Sequence, residues 1–300
     1  MLSNLLFRYQ ATLPTAALVL ATFLWGSSFI TTATALQYTD PFMLVMARFT
    51  IGASIVALML RRRILHIPAQ TWRAGLGTGV LLYGGYITNA IGLMSIESST
   101  SGFLTALYVP FTPLLVWVLF GKKPDYRAFL AAGVAFTGLL LLANPFTLSF
   151  SNNFGEWVTI LCAFISAFEI ICIGFVATKN DALPLTFTQL VSVALLCGLT
   201  RLLGLELALW PFGPTQWTST LLLSMLWLGI IVGLAQMLLT WGQKTVPAGR
   251  AAVIFAMESV FAAAIGWLSG EALGWTGWTG GALIVMAILL NETRLLSRKK

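Results

Sequence analysis

The sequence predicts an all-α integral membrane protein, with ten transmembrane helices forming two inverted five-helix repeats and both termini in the cytoplasm. Three observations lead there. Hydrophobic residues make up 58% of the chain and charged residues 9%, with a mean hydropathy of +0.89. A soluble domain is about one quarter charged, and a core of 300 residues cannot hide this much apolar surface, so lipid must solvate the remainder. Secondly, apolar windows about 17–25 residues long, separated by polar or Pro/Gly punctuation, number ten. They fall at 14–36, 41–60, 72–92, 99–120, 127–143, 155–177, 184–205, 218–242, 250–268 and 274–291. Thirdly, the text repeats: Gly92–Gly121 aligns with Gly242–Glu271 at an offset of 150 residues, pairing Gly92 with Gly242, Ala106 with Ala256, Phe111 with Phe261 and Trp117 with Trp267. Five spans per half is an odd number, so a second copy must enter from the opposite side of the membrane.

Charge orients the spans. Of the 17 basic residues, all but Arg48 and Arg201 fall on the N-terminus, the loops at 61–71, 121–126, 178–183 and 243–249 with their flanks, or the C-terminal tail. Cytoplasmic loops carry such an excess, and the alternation survives all ten spans. The expected organisation is a first repeat over 1–143, a periplasmic connector at 144–153, a second repeat over 154–293 and a basic cytoplasmic tail at 294–300. The net charge of +7 is therefore a signal of topology, and its spread over short loops argues against a nucleic-acid partner. Cys162, Cys172 and Cys197 lie in apolar spans without CxxC spacing, and His66 sits alone in a basic loop, so no disulfide framework, metal site or cofactor is expected.

Helix 1 carries Trp25-Gly26-Ser27-Ser28 at mid-membrane, small residues that suit close helix packing or the face of a cavity. Asp40-Pro41 turns the chain into helix 2, with proline where its missing N–H costs nothing. Arg48 lies about 10 Å inside that helix, deep enough to need a carboxylate, a carbonyl, water or a snorkelling route. In helix 3, Gly75 and Gly79 form a GxxxG, while Tyr83, Tyr86 and Asn89 follow one another at helical spacing and are expected to share a wall for an amphipathic solute. Helix 4 holds Tyr108, Pro110 and Pro113, and two prolines bend a membrane helix by freeing backbone carbonyls. Helix 5 has Gly133 and Gly138 and reads as scaffold. Glu169 of helix 6 lies about 20 Å along from Gly155, well inside hydrocarbon. Helix 7 has Gln189 and Arg201, helix 8 contributes Gln236, Trp241 and Gln243, and helix 9 carries Glu258 at the repeat position of Tyr108. Helix 10 has a GxxxG at Gly277 and Gly281.

Glu169 and Glu258 are the sharpest signals. A carboxylate in hydrocarbon is expensive and faces the bundle interior or a water-filled cavity. A structural pair with Arg48 is one use; recognition of a solute amine or coupling to a proton is the other.

The ten spans and the local text together resemble the EamA family of the drug/metabolite transporter superfamily, and within it the exporters of aromatic amino acids. The resemblance rests on Leu24–Phe29 in helix 1, Arg48-Phe49 in helix 2, and the small-residue breaks Ser98–Gly102 and Ala248–Ala252 that open helices 4 and 9. It also rests on the Phe120-Gly121 and Gly270-Glu271 turns before glycine-containing last helices. Lys122 departs from the pattern, standing where many members carry an acidic residue. The resemblance implies a central cavity lined by helices 1, 3, 4, 6, 8 and 9 with helices 5 and 10 peripheral, and makes Trp25, Tyr83, Tyr86, Tyr108, Glu169, Gln236 and Glu258 its lining candidates. Arg48, Asn89 and Trp241 complete the candidate set.

The function expected is a secondary carrier that exports amino acids or similar small zwitterions across the bacterial inner membrane. Its partners would be that solute and membrane lipid, with the oligomeric state open, a monomer included. An uptake or efflux carrier for a nucleoside, sugar or drug is the alternative. The absence of GxxxxGK[ST] argues against ATP-driven transport by this chain. A channel would need a continuous polar stripe, and a membrane-embedded enzyme would need a polar cluster at fixed depth.

Overall fold

The computed structural model describes residues 2–96, 98–121, 123, 126–143, 153–205, 213–268 and 274–297, with side chains placed within those ranges from residue 12 to residue 290 except at 98 and 99. All of the 144–153 connector but Asn153, the last three residues of the tail, Lys122, Trp210 and the Gly270-Glu271 turn lie outside the described residues. Among those described, the chain forms α-helices and two short 3₁₀ turns, with no strand. Among the described residues, seven helical segments are long and apolar enough to cross a membrane: Thr12–Ala35, Pro41–His66, Thr100–Phe120, Phe154–Lys179, Ala182–Leu202, Ser219–Gly242 and Ala248–Leu268. Two shorter apolar helices, Tyr126–Leu142 and Trp275–Leu290, accompany them.

The helices are α1 (Leu2–Ala35), α2 (Pro41–Leu60), α3 (Ala69–Leu93), α4 (Ser98–Thr105), α5 (Tyr108–Phe120) and α6 (Tyr126–Leu142). Then come α7 (Phe154–Val176), α8 (Ala182–Leu202), α9 (Ser219–Gly242), α10 (Ala248–Phe255), α11 (Met257–Leu268) and α12 (Trp275–Ser297). Their starts are chemically marked. Asp40 caps α2 by accepting from Met43 N at 2.8 Å, Asn153 caps α7 through Glu156 N at 3.0 Å, and Thr218 caps α9 through Leu221 N at 3.2 Å. Each cap occupies one of the amide donors that a helix start leaves unmet.

The predicted helix at 99–120 is two helices, α4 and α5, separated at Ala106 and Leu107. Pro110 has no N–H to offer Ala106 O, and its ring crowds that carbonyl; Val109 N takes the bond instead at 3.0 Å. The predicted helix at 250–268 breaks in the same place, between α10 and α11 at Ala256, with Val260 where the first break has Pro110. The break therefore belongs to the frame and does not depend on proline.

Neighbours recur in matched pairs. Helix α1 lies along α9 as α7 lies along α3, and α3 packs on α8 as α9 packs on α2. Likewise α11 packs on α1 as α5 packs on α7, while α2 meets α8 and α6 meets α12. A ring pair follows the same rule: Phe23 sits edge-on to Phe261 at 5.3 Å between centroids, and Phe111 edge-on to Phe164 at 6.4 Å. Not every contact is matched: α5 packs on α10 while the corresponding pair, α4 and α11, makes no comparable contact, and α10 meets α6 and α12 while α4 has no comparable contact with either.

Gly138 and Gly280 mark where α6 and α12 cross. A Cβ on Gly138 would lie 2.7 Å from Gly280 O, and one on Gly280 would lie 2.5 Å from Gly138 O. Gly280, which lies between Gly277 and Gly281 of the GxxxG, makes this backbone contact. The GxxxG of α3 does meet a neighbour, with Gly75 against Thr188 and Gly79 against Ser192 of α8.

Candidate solute-binding cavity

Helix α1 reaches the middle of the bundle through its small residues. A Cβ on Gly26 would lie 2.7 Å from the backbone oxygen of Glu258, so glycine there lets α1 and α11 touch along their backbones. Ser27 and Ser28 turn their hydroxyls back onto Leu24 O and Trp25 O, each at 2.7 Å. Packing and lining, the two readings of this stretch, therefore hold together: Gly26 closes the contact while Trp25 and Ser28 face a cavity. The Trp25 ring is steadied edge-on by Phe255 at 5.8 Å.

The cavity holds about 830 Å³ of space, counting its open mouth, between α1, α2, α3, α7 and the two broken helix pairs. Trp25, Arg48, Tyr86, Asn89, Tyr108, Glu169 and Glu258 line it, seven of the ten residues singled out from the sequence. Arg48 is 3% exposed. Its guanidinium carbon lies 4.8 Å from the centre of the Tyr86 ring, a cation–π contact that offsets part of the cost of a dry charge. Tyr86 is itself held edge-on by Phe49 at 4.8 Å. Among the described residues Arg48 Nε has no hydrogen-bond partner, and no ion pair joins Arg48 to Glu169 or Glu258. The structural pair that the sequence allowed is thus not formed. Tyr86 stands within electrostatic reach of all three charges. Asn89 Nδ2 donates to Thr105 Oγ1 at 3.1 Å and ties α3 to α4.

Three of the ten residues lie elsewhere. Tyr83 donates to or accepts from Thr200 at 2.7 Å, on the side of α3 that meets α8; three residues span less than a full helical turn, so it diverges from Tyr86. Trp241 is 42% exposed on the outside of α9. Gln236 is fully buried beneath the cavity, within hydrogen-bonding reach of Glu169.

That buried layer is the part sequence reasoning missed. Gln189, also fully buried, donates from Nε2 to Thr78 Oγ1 at 3.0 Å. Its Oε1 accepts from Gln236 and from Thr240, each at 3.3 Å. Beyond it, Gln243 Nε2 donates to Ile170 O at 3.0 Å, and Thr71 donates to Asn180 at 2.8 Å. The sequence named Gln189, Gln236 and Gln243 without joining them; the signal was that uncharged polar residues deep in apolar spans must each find a partner there. At the opposite end of the bundle Arg201 pairs with Asp40 at 2.6 Å, Thr39 meets Thr215 at 2.9 Å, and Gln216 N donates to Tyr38 O at 2.8 Å.

Comparison with known proteins agrees with this architecture. The EamA-like transporter family is matched twice along the chain, over residues 13–144 and 153–293. A protein of Archaeoglobus fulgidus described as an uncharacterized transporter is 25% identical over 281 residues, covering 93% of this chain and 85% of that protein. A solved structure titled only as the crystal structure of a protein superposes with a TM-score of 0.78 at 21% identity, covering 95% of this chain and 99% of the other, and speaks to the fold alone. With the family matched over nearly its whole length, this multi-pass membrane protein belongs to the EamA-like transporter family.

Proposed function

We propose that this chain is a secondary carrier that exports amino acids, aromatic ones included, or similar small zwitterions across the bacterial inner membrane by alternating access. The observation that carries the reading is an unpaired guanidinium and two carboxylates facing one aromatic-walled cavity. A zwitterion needs an anion-binding and a cation-binding group close together, and a site with little water strengthens both contacts. Arg48 offers its fork of donors to a carboxylate. Glu169 or Glu258 meets the ammonium, and Trp25 with Tyr86 packs the side chain.

Ten spans in two inverted repeats, 1–143 and 154–293, are the architecture that goes with this reading. The matched helix neighbours, the recurring ring pair, the break repeated at Ala106 and Ala256, and the double family match all support it. Arg61–Arg63, Lys179, Lys244 and Arg250 gather at one end of the bundle, which supports a cytoplasmic location for that end and for both termini. The cavity then faces outward. Helices α4 and α11 stand apart at its outer side, α5 and α10 meet beneath it, and the amide layer of Gln189 and Gln236 seals the inner side. Bound solute would leave when the halves have rocked into this state.

The test is a screen with purified protein in vesicles of phosphatidylethanolamine and phosphatidylglycerol, loaded with each amino acid in turn and assayed for exchange with and without a pH gradient. At least one zwitterion is expected to exchange saturably. Arg48→Gln is expected to slow it by roughly 100-fold, as for loss of a buried charged contact, at an unchanged melting temperature. No exchange of any amino acid would sink the reading. Orientation has its own check in intact cells: Gly213→Cys should react with an impermeant thiol reagent and Lys123→Cys should not.

A further inference from the structure

The cavity wall sets a charge count that its solute must answer. Its charged residues are Arg48, Glu169 and Glu258, two carboxylates against one guanidinium. A neutral zwitterion contributes one charge of each sign. It can satisfy Arg48 and one glutamate, and it leaves the other carboxylate without a counter-charge once the cavity closes over the solute, which is strongly unfavourable.

The two glutamates are not interchangeable. Glu169 projects from the middle of α7, is 9% exposed and has the Gln236 amide beside it. Glu258 stands in the first turn of α11, immediately after the break, and among the described residues no hydrogen bond or ion pair reaches its carboxylate. They also come from non-equivalent places in the repeat: Tyr108 is the counterpart of Glu258 at the offset of 150 residues, and Ser28 that of Glu169, since Gly242 meets Pro14 and Leu18 of α1 as Gly92 meets Gly155 and Thr159 of α7, an offset of 141 residues. Each carboxylate is thus a separate requirement. Phe255 and Trp25 pack edge-on in the wall of the cavity that Glu258 also lines, surroundings that suit a methylene stem ending in a cation.

We infer that the preferred solute is a cationic amino acid, whose carboxylate meets Arg48, whose α-ammonium meets Glu169 and whose side-chain cation meets Glu258. This deepens the amino-acid reading and rests on it. Two cations and one carboxylate match the wall in number and sign.

The experiment uses the full chain in the same vesicles with the pH held equal on both sides, and follows labelled lysine and labelled phenylalanine. Lysine is expected to move faster by on the order of tenfold or more, and Glu258→Gln is expected to reverse the preference. Wild-type protein that carries phenylalanine as fast as lysine overturns the inference and leaves the amino-acid reading standing. Phenylalanine carriage that needs a proton gradient also overturns it, because a proton then fills the place assigned to the second cation. Transport of neither, with no thermal stabilisation by either, overturns the inference, and the screen over all amino acids then decides the amino-acid reading. Should Glu258→Gln not fold, thermal stabilisation of the wild-type protein decides the matter: lysine must raise the melting temperature and phenylalanine must not.

Discussion

Asp40 does two things with one carboxylate. One oxygen caps α2 through Met43 N and the other takes the Arg201 guanidinium at 2.6 Å, so the start of α2 is fastened to the end of α8. Asp40 is 5% exposed and Arg201 32%, and the half-open partner limits what the pair contributes. Asp40→Ala is expected to cost about 2 kcal/mol, roughly half from the cap and half from the ion pair. Asp40→Asn keeps a good cap and should cost about half as much; thermal melts in detergent measure both. At this scale the sequence was most informative about charge. Arg48, Glu169 and Glu258 announced themselves because a charge in hydrocarbon has few places to go. Neutral groups were harder to read: Tyr83 was grouped with Tyr86 on spacing alone, and Gln189 carried no charge to draw attention, though it is the hub of the buried amide layer.

Among elements, most helix limits were legible to within a few residues because composition changes sharply where a chain leaves lipid, the exceptions being the start of α1 at Leu2 and the end of α12 at Ser297. The breaks were less so. Pro110 and Pro113 foretold a bend near Tyr108, but nothing comparable stands before Ala256, where the second break lies. There the cause is tertiary, and local text carries no mark of it. The crossing of α6 and α12 gives a test at this scale. Neither Gly138 nor Gly280 lines the cavity, and a side chain on either would meet backbone. Gly138→Val should cost about 1–3 kcal/mol through overpacking while leaving solute affinity intact. Gly26→Val, by pushing on the backbone of Glu258, should weaken solute binding as well; equal affinities for the two variants would refute the distinction.

For the whole molecule, the paired neighbours turn the observed closure into an expected one. On the inverted-repeat reading, Gln243 and Ile170, joined at 3.0 Å, correspond to Leu93 and Phe29, which line the cavity. When the bundle tips the other way, Leu93 and Phe29 should close on each other as Gln243 and Ile170 do here. Cysteines at 29 and 93 are expected to crosslink during transport and to stop it until reduced. If they crosslink equally well with the inner end locked shut, the symmetry does not govern the motion. The sequence made this level partly visible through the alignment of Gly92 with Gly242. It did not reveal which end was closed, because that depends on a contact between α5 and α10 that no short stretch encodes.

The short helix α6 has a consequence for the membrane itself. Helix α6 has 17 residues, about 25 Å of rise, against roughly 30 Å of hydrocarbon. Its neighbour α12 runs over Trp275–Ser297, and Trp267 and Trp278 meet edge-on at 5.5 Å on the same flank. Helix α6 is therefore short for a full span, and thinning of the lipid beside it is the expected accommodation. Vesicles of longer-chain phospholipids should then slow transport and lower the melting temperature together, and shorter chains should restore both. Bilayer thickness thus becomes a setting of the carrier's rate.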